Sequence, residues 1–266
     1  MSTAFAPPAK PREQPKVAQT RDPLDVVSER IAIADRLSDT FLKDNQAQVA
    51  PALDILKQID KRGANPYHDT EHTRMVMNGV IVLWADIKGI PLNRLNPAQH
   101  PELTELLLAA AYHDIGQFQG AKGHEQRGSD FARESLSQYV GEAAAQRIAT
   151  YILATRMEFA DGKLTQVKAS TFAEKILQDA DMFNLGGTRP KEQWDISCRL
   201  FQETSTDPFK AEYVHSLDAI SFGTKLFANH QYQTESAKRL LNPGKAVNLA
   251  ELRAIEIDLT FKRFSI

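Results

Sequence analysis

The ten residues LLLAAAYHDI, numbered 106–115, form an apolar run that continues as far as the adjacent pair His113-Asp114. A helix that is apolar on all sides is typical of a protein interior. Burying a charged carboxylate at the end of such a helix costs several kcal/mol unless a partner compensates the charge. A divalent cation held by histidine nitrogens and carboxylate oxygens would be such a partner. A buried His–Asp hydrogen bond without a metal is the alternative.

Helix signals surround this segment on both sides. Asp22-Pro23 combines an N-cap with a proline at the first helical position. A second helix is expected from Asp69, and the capping box Thr171-x-x-Glu174 predicts another. Gly116 is expected to end the helix of the quoted segment as a left-handed cap.

Apolar residues at a spacing of three to four predict the remaining helices. They cover about 102–112, 125–139, 142–155, 207–222 and 249–261. Because alternating strand patterns are almost absent, the predicted fold class is all-α. We expect one multi-helix domain over residues 23–266, preceded by a disordered, proline-rich arm at residues 1–22.

The composition excludes several classes of function. The chain has 266 residues, of which 42% are hydrophobic, and 32 basic against 34 acidic side chains. This balance predicts no nucleic-acid partner held by bulk charge. A single cysteine, Cys198, excludes a disulfide framework and a cysteine zinc cluster. With no apolar stretch of about 18 residues and no signal-peptide core, we expect no membrane partner and a cytoplasmic location.

Histidines and aspartates recur in two further segments of the chain. His68 and His72 lie in NPYHDTEH (65–72), and Asp179 and Asp181 lie in LQDADMFNLG (177–186). The order of His72, the His113-Asp114 pair and a distal aspartate resembles the H…HD…D signature of the HD-domain superfamily of metal-dependent phosphohydrolases. Residues 65–76 are also similar to the opening motif of cyclic-nucleotide phosphodiesterases. Residues 177–186 resemble the distal segment of bacterial HD phosphohydrolases.

The resemblance covers roughly residues 28–240 and implies an HD-type helical bundle with one or two divalent cations. The ligands it implies are His72, His113, Asp114 and Asp181. Asp114 is also an implied catalytic residue, because it could bridge two cations. Mn, Fe, Co, Ni, Zn and Mg are not distinguished by these ligand types. Asp179 competes with Asp181, since neither helix geometry nor apolar periodicity decides between them, but the family pattern favours Asp181.

Two further histidines have implied roles. The phosphodiesterase resemblance makes His68 a general acid that protonates the leaving oxygen, and a structural histidine packed by Tyr67 is the alternative. His124 is a possible additional metal ligand or phosphate contact, and a plain helix-start residue is its alternative. Arg127, Arg156 and Lys122 are candidate phosphate clamps.

The expected function is metal-dependent hydrolysis of a phosphoester by metal-activated water, with His68 as general acid. The substrate would be a nucleotide or another small phosphorylated metabolite. A cyclic-nucleotide phosphodiesterase is the first alternative, although those enzymes usually have a histidine where this chain has Gln117. A non-catalytic metal- or nucleotide-binding module is the second. Neither the substrate nor the oligomeric state follows from the motifs.

Overall fold

The computed structural model describes residues 21–63, 65–160, 163–204 and 217–264, and most of these residues are helical. The predicted all-α fold class is confirmed. Six helices precede a short hairpin: α1 (Pro23–Asp44), α2 (Gln46–Arg62), α3 (Thr70–Lys88), α4 (Pro101–Tyr112), α5 (His124–Val140) and α6 (Glu142–Ala154). Within the described ranges five follow it: α7 (Phe172–Asp181), α8 (Asn184–Gly187), α9 (Pro190–Thr204), α10 (Leu217–Asn229) and α11 (Glu235–Phe264).

The hairpin consists of β1 (Met157–Ala160) and β2 (Lys163–Gln166), which pair antiparallel with Met157 opposite Gln166. Two predictions fall partly on residues that the structure does not describe. Residues 1–20 of the predicted arm lie outside the described residues, and so does the start of the helix predicted from residue 207.

The helix starts predicted at Asp22 and Thr171 are confirmed by their capping hydrogen bonds, whereas the helix predicted over about 249–261 begins earlier, at Glu235. Asp22 accepts a hydrogen bond from the Leu24 amide at 2.9 Å, and Pro23 is the first residue of α1. Thr171 and Glu174 form both hydrogen bonds of the capping box at the start of α7. Each cap satisfies backbone N–H groups that the first helical turn leaves unpaired.

The prediction that Gly116 is a left-handed cap is wrong. Close packing, and not a left-handed backbone, explains why glycine stands at this position. Gly116 is not among the glycines with positive φ, and it lies in a 3-10 turn over Ile115–Gln119. A Cβ atom at this position would lie 2.0 Å from the carbonyl oxygen of His124. Glycine therefore lets the start of α5 approach the His113-Asp114 pair.

The core places the ends of three helices together. α3 is buried from Val76 to Ala85, and α4 is buried from Leu106 to Tyr112. α7 packs against both α3 and α4, and Phe183, just beyond α7, packs against Gly79 of α3. As a result, the start of α3 meets the carboxyl-terminal ends of α4 and α7. Among the described residues, no helix has both the length and the apolar character required to cross a membrane.

Candidate metal centre

Three side chains converge where α3, α4 and α7 meet. His72, His113 and Asp181 each offer one ligand atom, and these atoms all lie within 4.8 Å of one another. Nε2 of His72 is 3.2 Å from Oδ1 of Asp181 and 3.4 Å from Nε2 of His113. Both imidazoles are buried. This group could hold a metal ion.

The tautomer of the neutral His113 ring is fixed by its backbone partner. Its Nδ1 lies 2.8 Å from the carbonyl oxygen of Ala110. Because a carbonyl oxygen only accepts, Nδ1 carries the hydrogen, and the neutral ring presents the lone pair of Nε2. That lone pair faces Oδ2 of Asp114 at 2.9 Å. A lone pair facing a carboxylate is repulsive unless a proton or a cation lies between them. Metal-binding histidines likewise donate one ring N–H to a backbone carbonyl and present the other nitrogen to the metal.

Asp114 has a buried oxygen without a donor. No hydrogen bond from the described residues reaches its Oδ2 atom, although Nε2 of His72 lies 3.3 Å away. Its other oxygen, Oδ1, faces Nε2 of His124 at 3.4 Å. His124 donates from Nδ1 to the carbonyl of Ala121 at 2.8 Å, so it too presents an Nε2 lone pair. An orphaned carboxylate oxygen between imidazole lone pairs fits a divalent cation as the missing partner.

Burial and neighbouring charge act in opposite directions on these groups. Burial lowers the pKa of His113, but Asp114 and Asp181 overcome this effect and raise it well above its ordinary value. Burial favours protonation of Asp114 and Asp181, yet the adjacent histidines hold both carboxyl pKa values below their usual range. The carboxylates are therefore ionised at neutral pH, and positive charge is required beside them.

Asp179 points away from this cluster and has a structural contact of its own. Its two oxygens accept the backbone amides of Gln233 at 2.6 Å and Thr234 at 2.7 Å. The side chain is buried, and this burial raises its pKa to about 6, against the effect of the two hydrogen bonds. Asp179 thus fixes the segment that leads into α11. Its tertiary contacts distinguish its role from that of Asp181, which helix geometry alone did not.

The two aspartates give a matched pair of variants. Asp181→Asn is expected to lose most bound metal, because it removes an anionic oxygen from the cluster. Asp179→Asn should keep the metal but lose about 1–3 kcal/mol of unfolding free energy, since one backbone amide would face an amide nitrogen. Elemental analysis and urea unfolding of both variants check this. Metal loss in Asp179→Asn alone would exchange the two roles.

His68 lies beside the cluster and is held by a residue that the sequence did not single out. Its Nδ1 pairs with a carboxylate oxygen of Glu203, at the end of α9. The other Glu203 oxygen accepts the backbone amides of Tyr67 and His68, each at 3.1 Å. The His68 ring is 5.6 Å from that of His72 and 6.0 Å from that of His124, centre to centre. It also packs on Tyr67, with 4.7 Å between the ring centres.

A cavity of about 260 Å³ adjoins these groups. His68, His124 and Asp181 line one side of it. The facing walls come from α8, α9 and α10 and are mainly apolar: Leu185, Ile196, Leu200, Phe222 and Leu226. A cavity with converging polar groups at one end and apolar walls at the other is typical of a small-molecule site.

The three candidate phosphate clamps, Arg127, Arg156 and Lys122, do not line this cavity. Arg127 donates to the carbonyl oxygens of Gly116 and Lys122 and so ties the loop before α5. Arg156 forms an exposed ion pair with Glu158. Both guanidinium groups therefore have structural partners.

No protein-family model matches the chain, and no curated protein or solved structure is significantly similar to it. The described residues form a helical protein with a His/His/Asp cluster that could bind a metal, which is compatible with an HD-type domain. The likeness to that superfamily rests on the motifs and on this cluster.

Proposed function

We propose that the chain is a metal-dependent phosphohydrolase that acts on a small phosphorylated molecule. One juxtaposition carries this proposal. A buried set of imidazole and carboxylate ligands, with an orphaned oxygen on Asp114, lies next to a histidine that is outside the set and is held by Glu203. Asp181 of this set and His68 line the same cavity. Binding a metal requires only the ligand set, whereas hydrolysis requires both the ligand set and His68.

The ligand set would be His72, His113, Asp114 and Asp181. A divalent cation held there supplies Lewis acidity toward a phosphoryl oxygen and toward water. The fixed Nδ1–H group of His113 orients its ring, so that the ligand nitrogen needs no reorganisation. The short side chain of Asp114 presents its two oxygens to different histidines. His124 therefore stands where it could contact either a second cation or a phosphoryl oxygen.

His68 would supply the proton to the leaving oxygen. Pairing of Nδ1 with Glu203 leaves Nε2 as the nitrogen that can donate. Burial lowers the pKa of His68, but Asp114 and Glu203 raise it overall, which favours the protonated form near neutral pH. Glu203 is a positioning residue in this scheme, because it acts through His68.

Removal of metal should abolish hydrolysis. The full chain, stripped with a chelator and reloaded separately with Mn, Fe, Co, Ni, Zn or Mg, would be assayed on nucleoside monophosphates, cyclic nucleotides and bis-aryl phosphates. We expect turnover with at least one metal and none in the stripped protein. Preference for monoesters or for cyclic diesters separates the phosphatase from the phosphodiesterase alternative. Metal binding without turnover on any phosphoester would contradict the proposal and favour a binding module.

A further inference from the structure

A second depression adjoins the cavity of the metal centre. It has a volume of about 300 Å³. Met157 and Leu226 line both spaces and therefore stand between them. The remaining walls of this second space, which we name the polar bay, are Thr165, Gln166, Asn229, His230, Gln231 and Gln233. Methionine is unbranched and readily changes rotamer, so Met157 is a divider that a ligand can displace.

The polar bay offers hydrogen-bonding groups without formal charge. Asn229 and Gln231 are exposed, and their side-chain amides have two donors and an acceptor each. Nδ1 of His230 lies 3.5 Å from Nζ of Lys245. An ammonium group only donates, so Nδ1 accepts and Nε2 carries the hydrogen. No hydrogen bond from the described residues reaches that Nε2 atom.

His230 stays neutral in this position. Burial and the adjacent Lys245 lower its pKa to about 3. The Lys245 ammonium itself donates to the carbonyl oxygen of His230 and lies 5.7 Å from the centre of the Tyr232 ring. The charge of Lys245 is therefore engaged by the backbone, and the surface of the bay remains uncharged.

The cavity of the metal centre is large enough for an apolar ring. An engineered cavity of about 150 Å³ holds benzene, so the space of about 260 Å³ has room for a ring joined to a phosphoryl group. Ile196, Leu200 and Phe222 provide its apolar walls. Along the path from the metal ligands outward, the lining is first ionic, then apolar, and finally polar and uncharged.

We propose that the polar bay is a second substrate subsite, and that the substrate is a phosphoester of an aryl-like group with an uncharged hydrogen-bonding substituent at its far end. This proposal rests on the proposed function for the placement of the phosphoryl group. The far substituent would pass Met157 and Leu226 and exchange hydrogen bonds with Asn229 and Gln231.

Three probe compounds test the proposal with the metal-loaded full chain: phenyl phosphate, 4-acetamidophenyl phosphate and 4-carboxyphenyl phosphate. We expect a KM about tenfold lower for the acetamido compound than for phenyl phosphate, the effect of one or two net hydrogen bonds. The double variant Asn229→Ala/Gln231→Ala should lose this preference and keep the KM for phenyl phosphate within about twofold. Gln126→Ala, on the exposed face of α5, is the matched control and should keep the preference.

Both substituted residues of the bay are exposed, so the double variant is expected to fold, and its metal content confirms that the centre is intact. Equal KM values for the acetamido and phenyl compounds in the unmodified protein would overturn the proposal, as would a preference that survives the double variant. A lower KM for the 4-carboxyphenyl compound than for the acetamido compound would overturn the proposal that the far substituent is uncharged.

Failure of the proposed function is a distinguishable result. If none of the three compounds is hydrolysed, calorimetric dissociation constants of the same compounds replace KM. A tenfold preference for the acetamido compound that disappears in the double variant would then support the subsite without catalysis. Equal binding of the acetamido and phenyl compounds, or no binding, would overturn it.

Discussion

His113→Ala is expected to reduce bound metal from about one or two ions per chain to background and to abolish hydrolysis. The variant removes a buried ligand nitrogen whose orientation the carbonyl of Ala110 fixes at 2.8 Å. Loss of one ligand from a set of three or four, together with its preorganisation, typically costs far more affinity than loss of an outer contact. Elemental analysis and activity after gel filtration measure both effects.

The control is His100→Ala. His100 packs on Trp84 with 4.7 Å between ring centres, away from the cluster, and its substitution should leave the metal content unchanged. Asp114→Ala should lose metal as His113→Ala does. Added metal should also raise the melting temperature of the unmodified protein more than that of either cluster variant, because ligand binding stabilises the folded state. If both cluster variants retain the full complement of metal, the assignment of the centre is wrong.

Acidification should release the metal. A ligand nitrogen must be unprotonated, so protons compete with the cation for His113. The carboxylates raise the pKa of His113 well above its ordinary value when no cation is present. Metal affinity is therefore expected to fall continuously as pH decreases. A dissociation constant, measured with a competing chelator, that stays constant from pH 8 to about pH 5 would show that His113 does not ligate.

Local signals in the sequence predicted the fold class and most helix starts, because each signal acts within a few residues. The caps at Asp22, Asp69 and Thr171 need only their own first helical turns. α2 and α9 were not predicted. α2 contains Pro51, which argues against a helix interior, and tertiary contacts of Val49, Leu56 and Ile59 with the core stabilise it nonetheless.

The site was predictable to the extent that it depends on motifs within short segments. The family resemblance of the motifs placed His72, His113, Asp114 and Asp181 in a common ligand set, and the structure brings His72, His113 and Asp181 together. It did not indicate Glu203, which is 135 positions from His68 and lies on the unpredicted α9. No residue near Glu203 in the sequence indicates that its carboxylate pairs with His68. The resemblance favoured Asp181 over Asp179, but helix geometry and apolar periodicity did not, because the amides of Gln233 and Thr234 that Asp179 accepts lie 54 and 55 positions away.

His68→Ala is expected to keep the metal and to lose about 10²–10⁴-fold in turnover on an alkyl phosphoester, the usual contribution of a general acid. The loss should be much smaller on a p-nitrophenyl ester, whose departing oxygen needs little protonation. This difference separates an acid from a residue that only packs on Tyr67, because a packing defect would slow both esters alike. Steady-state rates on the two esters, with metal analysis of the same sample, measure it.

Glu203→Gln is the companion variant because it tests whether the carboxylate acts through His68. An amide can still accept from the backbone of residues 67 and 68 but no longer holds a negative charge beside the imidazolium. The pKa of His68 should fall, so the decline of kcat with rising pH, which reports loss of the acid's proton, should move to lower pH. The loss in turnover should again be larger for the alkyl ester.

If His68→Ala instead removes the metal, His68 is a ligand and His124 becomes the next candidate for the acid. If both esters slow equally in His68→Ala, His68 orients substrate or packs the site, and the effect of Glu203 would then lie in the shape of the 65–68 loop.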